Sequence, residues 1–116
     1  MQRKSELFLE DILKCIFKIK NYVKDMTFDE FLKDEKSIDA VTRNFEIIGE
    51  AISNLTDDFK SKYPYIPWRT IKDMRNSIIH QYWKVDLEIE WGIIETKLDI
   101  LEKQIKEIIE KEKKNK

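Results

Sequence analysis

Residues able to do chemistry are scarce in this 116-residue chain. The single cysteine, Cys15, excludes an internal disulfide and a thiolate metal cluster. It lies in an apolar helical run, where a free cysteine behaves as a small hydrophobe. The single histidine, His80, would have to serve any zinc-finger or Ser-His-Asp arrangement, and no Glu-x-x-His pair of the di-metal bundle type occurs. No metal or cofactor is expected. The two glycines, Gly49 and Gly92, stand too far apart for a phosphate-cradling loop. Two glycines and two prolines also leave little turn material for a β-sandwich. The segment after Met1-Gln2-Arg3-Lys4-Ser5 is broken by Glu10, Asp11, Lys14, Lys18 and Lys20, which suits neither a signal peptide nor a membrane span. A cytoplasmic protein with no membrane partner is expected.

An excess of either charge is missing too. Lys and Arg number 22 against 23 Asp and Glu, so a general electrostatic grip on long nucleic acid is excluded. Any RNA contact must be local, in a cleft. The near-zero net charge also removes one brake on self-association.

What the chain does contain is helical periodicity. Leu9, Ile12, Ile16, Ile19 and Val23 recur at spacings of three and four, predicting a first helix over 5–24. Thr27 and Glu30 form a Thr-x-x-Glu capping box ahead of a short helix through Phe28 and Phe31. Ile38, Val41, Phe45, Ile48, Ile52 and Leu55 draw the stripe of a core helix over 35–55. A short amphipathic turn over 57–63 precedes Pro64-Tyr65-Ile66-Pro67, and Pro67 suits the first turn of a helix from Trp68 to His80 or Tyr82. Asp86 reads as the N-cap of a last helix reaching Glu112, with Leu87, Trp91, Ile94, Leu98, Leu101, Ile105 and Ile108 on one stripe. Residues 111–116 are a charge run expected to fray. The fold expected is all-α: one domain over 1–116, an antiparallel bundle of four main helices plus short ones.

The one dense polar cluster is Arg75-Asn76-Ser77-Ile78-Ile79-His80-Gln81-Tyr82. On a helical wheel Ile71, Met74 and Ile78 mark the inward face, and Arg75 falls only about 40° from its centre. A cation there needs a partner or a solvated cleft. Glu46 and Glu50 on the third helix are candidate partners, and pairing with them would give Arg75 a purely structural role. His80 shares a face with Asn76, about 140° round the helix from Arg75, so one regular helix does not aim both at one point. Two copies related by a two-fold axis could surround one cleft with both pairs. Taken singly, His80 could equally cap a helix end, and Tyr82 could be an ordinary core or interface aromatic.

Arg75-x4-His80, with Asn76 directly after the arginine, resembles the Arg-x(4–6)-His motif of HEPN domains. With Tyr82 it becomes Arg-x4-His-x-Tyr, which resembles the HepT toxins that pair with a minimal nucleotidyltransferase antitoxin, MntA. The likeness extends through Arg43-Asn44-Phe45-Glu46-Ile47-Ile48-Gly49-Glu50-Ala51 and Ile66-Pro67-Trp68, over roughly Ile38 to Trp91. The resemblance implies a HEPN-like bundle and a homodimer that cuts RNA without metal, using the 2′-hydroxyl as internal nucleophile. In that scheme His80 is the general acid or base. Arg75 holds the scissile phosphate. Asn76 orients the histidine or a phosphate oxygen, and Tyr82 stacks on a base or donates to phosphate. Tyr82 is also where the antitoxin would attach AMP. The other class of function open to such a chain is a non-catalytic helical partner of the nucleotidyltransferase; a plain bundle with a coincidental motif is the third.

Overall fold

The computed structural model describes residues 3–77 and 83–114, with side chains over 4–73 and 87–114. The described residues form seven helices and no strand: α1 (Arg3–Tyr22), α2 (Phe28–Leu32), α3 (Glu35–Asn54), α4 (Asp57–Ser61), α5 (Trp68–Ser77), α6 (Trp83–Thr96) and α7 (Leu98–Lys114). The all-α expectation is met.

Local chemistry sets most of the boundaries. Beyond α1 the chain turns through Asp25 at φ 62°, a left-handed conformation that aspartate tolerates better than most residues. The capping box forms as expected: Thr27 N–H donates to Glu30 Oε1 at 2.9 Å, and Glu30 N–H to Thr27 Oγ1 at 3.2 Å. Asp34 caps α3 by accepting from Ser37 N–H at 3.2 Å, and Thr56 caps α4 by accepting from Phe59 N–H at 3.1 Å.

The predicted stripes are the observed core. Leu9, Ile12, Ile16 and Ile19 of α1 are fully buried, as are Val41, Ile48 and Ile52 of α3 to within a percent. α1 packs along α3, α3 along α5, and α7 against α1 and α6. Trp91 of α6 covers the short α2, its ring 5.1 Å from Phe31 and 5.9 Å from Phe28. Cys15 is buried, and burial pushes its thiol pKa up, as an inert hydrophobe requires.

Three expectations need correction. The last helix is not continuous: α6 and α7 meet at Lys97. Backbone bonds carry through the junction, Lys97 N–H to Ile93 O and Leu101 N–H to Lys97 O, both at 2.9 Å. The junction is therefore a bend within one ladder. Thr96 Oγ1 donates back to Gly92 O at 2.6 Å, the kind of side-chain bond that bends helices. Asp86 is not the N-cap, because α6 starts at Trp83. A carboxylate is favoured anywhere in a first turn, not only at the cap, which explains the misplaced boundary. Finally, residues 111–114 do not fray. Glu112 extends the stripe Leu101, Ile105, Ile108 by one turn and is 3% exposed, accepting a hydrogen bond from Tyr63 Oη. Lys62 Nζ stands 3.7 Å from its other oxygen, and Lys113 Nζ 3.7 Å from Glu6.

Two predictions follow from this packing. A Cβ built on Gly92 meets nothing within 4 Å. Gly92→Ala should raise stability by about 0.5–1 kcal/mol, measured from the urea midpoint, because it removes only the backbone entropy of a helical glycine. Burial, reinforced by the bond to Glu112, pushes the Tyr63 hydroxyl pKa up. The folded state thus favours the neutral phenol. Its contribution is complete below about pH 10, the ordinary tyrosine value, and fades as pH rises above that. Stability should fall from about pH 10 upward, and Tyr63→Phe should flatten that limb. An alkaline slope identical in the two proteins would contradict this.

Candidate functional site

The helix that begins the Arg-x4-His motif is fixed at its start. Pro67 precedes α5, and the Trp68 indole N–H is shared between two carbonyls upstream, Tyr63 O in the connection at 3.1 Å and Lys60 O of α4 at 3.2 Å. The ring is 9% exposed. Because Tyr63 is in turn bonded to Glu112, the end of α7 pins the segment that launches α5.

α3 sets the direction of α5. Ile52 of α3 and Trp68 share one wall of an open cleft with Lys60, Arg69 and Lys72. Phe45 and Ile48 share an apolar groove with Pro67, Thr70 and Ile71. Pro67, Thr70 and Ile71 thus share the groove with Phe45 and Ile48, while Trp68, Arg69, Lys72 and Asp73 share the cleft with Ile52, so two faces of α5 meet two turns of α3.

Arg75 and Asn76 lie in the last turn of α5. His80 and Tyr82 lie outside the described residues. Of the two carboxylates expected behind Arg75, Glu46 is held within its own helix by Arg43 Nη1 at 3.1 Å, and Glu50 is exposed.

The residue that sequence reasoning passed over is Glu90. Its side chain is 2% exposed, and Thr42 Oγ1 sits between its two oxygens, 3.1 Å from Oε1 and 3.4 Å from Oε2. A signal was available: Glu90 falls three residues after Leu87 and four before Ile94, on the inward stripe beside Trp91. A carboxylate on a core stripe at the level of Thr42 is a charge that the fold must answer. Asn44, one turn from Ala40, donates to that carbonyl at 2.7 Å, while its buried Oδ1 has no hydrogen-bond partner among the described residues.

Among the described residues no group of three or more His, Cys, Asp and Glu side chains could hold a metal ion, and no helix is long and apolar enough to cross a membrane.

Comparison with known proteins agrees with the family resemblance. The family model of HepT-like ribonucleases matches residues 12–108. A candidate RNase of Methanocaldococcus jannaschii is 47% identical over 102 residues, covering 88% of this chain and 84% of that protein. A longer protein of the same organism, named as a gamma-glutamylcyclotransferase and candidate RNase, is 40% identical over 116 residues; these are all of this chain but 52% of that protein. "Probable ribonuclease HepT" of Thermococcus cleftensis is 42% identical over 94 residues, covering 81% of this chain and 86% of that protein. No solved structure matches. With a family model spanning most of its length and relatives alike over nearly all of it, the chain belongs to the HepT-like ribonuclease family.

Proposed function

We propose that this chain is a metal-independent endoribonuclease toxin that works as a homodimer and is silenced by AMP transfer to Tyr82. The observation that carries the reading is the ordered set Arg75-Asn76-x3-His80-x-Tyr82, whose first two residues lie in the last turn of α5, in a chain of this family. Two imidazoles, one from each copy, divide the proton work. One takes the proton of the 2′-hydroxyl as O2′ attacks phosphorus, and the other gives a proton to O5′ as the P–O5′ bond breaks. The products are a 2′,3′-cyclic phosphate and a free 5′-hydroxyl. Arg75, with its planar fork, offsets the charge gathering on the phosphorane oxygens. Asn76 orients the imidazole or a phosphate oxygen. The neutral overall charge fits a local grip on one phosphodiester better than a long electrostatic track.

The minimal nucleotidyltransferase partner would act on Tyr82. The phenolic oxygen attacks the α-phosphorus of ATP, pyrophosphate leaves and the phenolic proton is released. The bulk and negative charge of the AMP then close the cleft to RNA.

Purified protein incubated with RNA in EDTA should yield fragments ending in cyclic phosphate. Incubation with the nucleotidyltransferase and ATP should add AMP mass to the wild type and none to Tyr82→Phe. RNA left intact, with a stable complex still formed with the nucleotidyltransferase, would replace the nuclease by the non-catalytic partner.

A further inference from the structure

We propose that the open cleft between α4 and the start of α5 is a subsite for a phosphate of the RNA strand flanking the scissile one. The inference deepens the ribonuclease reading above and rests on it for the strand that passes the cleft. The cleft, about 640 Å³, lies within the range of about 300–1,000 Å³ usual for ligand clefts. Three cations line it: Lys60 from α4, and Arg69 and Lys72 from α5. In a chain with 22 basic against 23 acidic residues, this gathering is a local departure from the whole.

Two carboxylates face the same cleft. Asp57 stands 3.8 Å from Lys60 Nζ with its side chain fully exposed, and Asp73 stands 3.9 Å from Arg69 Nε with its side chain 54% exposed. Exposed pairs at such separations hold their partners weakly. Neither contact is short enough for a hydrogen bond, so an incoming anion takes these donors without first breaking one. Lys72, half-buried, has no ion-pair partner among the described residues. The first turn of α5 carries no carboxylate, so the positive helix end adds to the field of the three cations. Ser61 contributes a hydroxyl, and Ile52 and Trp68 an apolar wall beside it. The cleft is also set before any ligand arrives, since the Trp68 indole N–H donates to Lys60 O at 3.2 Å and ties α4 to α5.

Its place on α5 makes it a subsite for RNA and not an isolated anion hole. Lys72 precedes Arg75 by three residues, about 4.5 Å along the helix axis. By helical wheel Arg69, Lys72 and Asn76 fall within about 60° of one another, so the cations share a register with the start of the motif. A strand with one phosphodiester at the motif meets the cleft with a neighbouring phosphate. Contacts of this kind position a strand without reading its sequence. They also hold it without the chain-wide basic excess that the composition lacks.

Binding is measured first, on a 2′-O-methyl RNA of about ten nucleotides that cannot be cut. The full chain carrying Arg69→Gln and Lys72→Gln should bind it about tenfold more weakly at about 0.1 M salt. The slope of log Kd against log salt should fall by about 0.7–1 for each phosphate contact removed. Arg69→Lys with Lys72→Arg, which keeps both charges, should stay within a few-fold of wild type. Should the double variant not fold, Arg69→Gln alone gives the same slope test at a side chain 94% exposed. Equal affinity and equal slope in wild type and variant would overturn the subsite. So would a variant that loses inorganic phosphate while its RNA affinity stands, the mark of a free-anion site.

Cleavage separates this inference from the reading beneath it. On a cleavable RNA of the same length the double variant should raise KM more than it lowers kcat, because the lost contact is made before and during the reaction alike. The ratio of variant to wild-type KM should shrink on a dinucleotide, whose single phosphodiester leaves no phosphate to reach the cleft. A ratio independent of length would sink the flanking role. Wild-type protein that binds the 2′-O-methyl strand through these cations yet leaves RNA intact would refute the ribonuclease reading and keep the cleft as an RNA contact.

Discussion

His80→Ala should reduce RNA cleavage by about 10²–10⁴-fold, the range general acid–base catalysis supplies, while leaving the stability from urea unfolding within about 0.5 kcal/mol of wild type. The reasoning is one of inventory. This is the only histidine in the chain, and an imidazole is the only side chain whose unperturbed titration falls near neutral pH. Both proton transfers of the proposed reaction therefore fall to copies of one residue. Losing it removes acid and base together, since each copy of a homodimer carries the change. Arg75→Ala should be comparably damaging through lost charge stabilisation. Mixing Arg75→Ala chains with His80→Ala chains is the sharper measurement. Heterodimers retain one arginine and one imidazole, from different copies, so partial activity should return where each homodimer has none. A mixture as inert as its components would mean either that each working pair lies within one chain or that one imidazole cannot do the work of two. Cleavage by His80→Ala within a few-fold of wild type would remove the imidazole from the mechanism.

Much of the scaffold was legible because burial and helical period are the same information. The stripes of α1 and α3 are built from residues whose spacing alone marks an inward face, and each became core. The capping box at Thr27 was equally readable, since its two bonds join residues three apart. Reading failed where a local rule met a long-range partner. The run from 111 looks like a solvated tail until Tyr63, 49 residues away, donates to Glu112. Asp86 has the chemistry of a cap, yet α6 starts three residues earlier. The bend at Lys97 comes from Thr96 bonding back to Gly92, which the unbroken apolar rhythm conceals. The candidate site divides the same way. Its motif is a sequence fact, whereas the contact of the buried Glu90 on α6 with Thr42 on α3 joins residues 48 apart and no local rule reveals it. Glu46 and Glu50 stand on the helix that packs along α5, which makes them partners for Arg75 by pattern, yet Glu46 serves Arg43.

The second large effect concerns the wall that carries α5. Phe45→Ala should destabilise the protein by about 3 kcal/mol, the lower end of the range for deleting a buried phenylalanine. The ring is 2% exposed and the full transfer term is lost. The cavity term should be small, because Phe45 already borders the apolar groove with Ile71, so neighbours and water can close on the space. Ile16→Ala makes the contrast. Ile16 is fully buried in α1 and borders neither groove described above, so the void there stays closed and a smaller deletion should cost nearly as much, about 2–4 kcal/mol. Against a total of about 5–15 kcal/mol for a domain, either loss is severe. With urea slopes of about 1–3 kcal/mol per molar, the Phe45 midpoint should fall by about 1–3 M, compared at one protein concentration because the proposed dimer would couple to folding. The two variants should part in function. Loosening α3 against α5 frees the backbone that bears Arg75, so Phe45→Ala should lower kcat under conditions where it remains folded. Ile16→Ala, equally unstable but on α1, which packs on α3 and α7, should keep it. Equal kcat in both would mean that the α3–α5 contact holds the fold together without aiming the arginine.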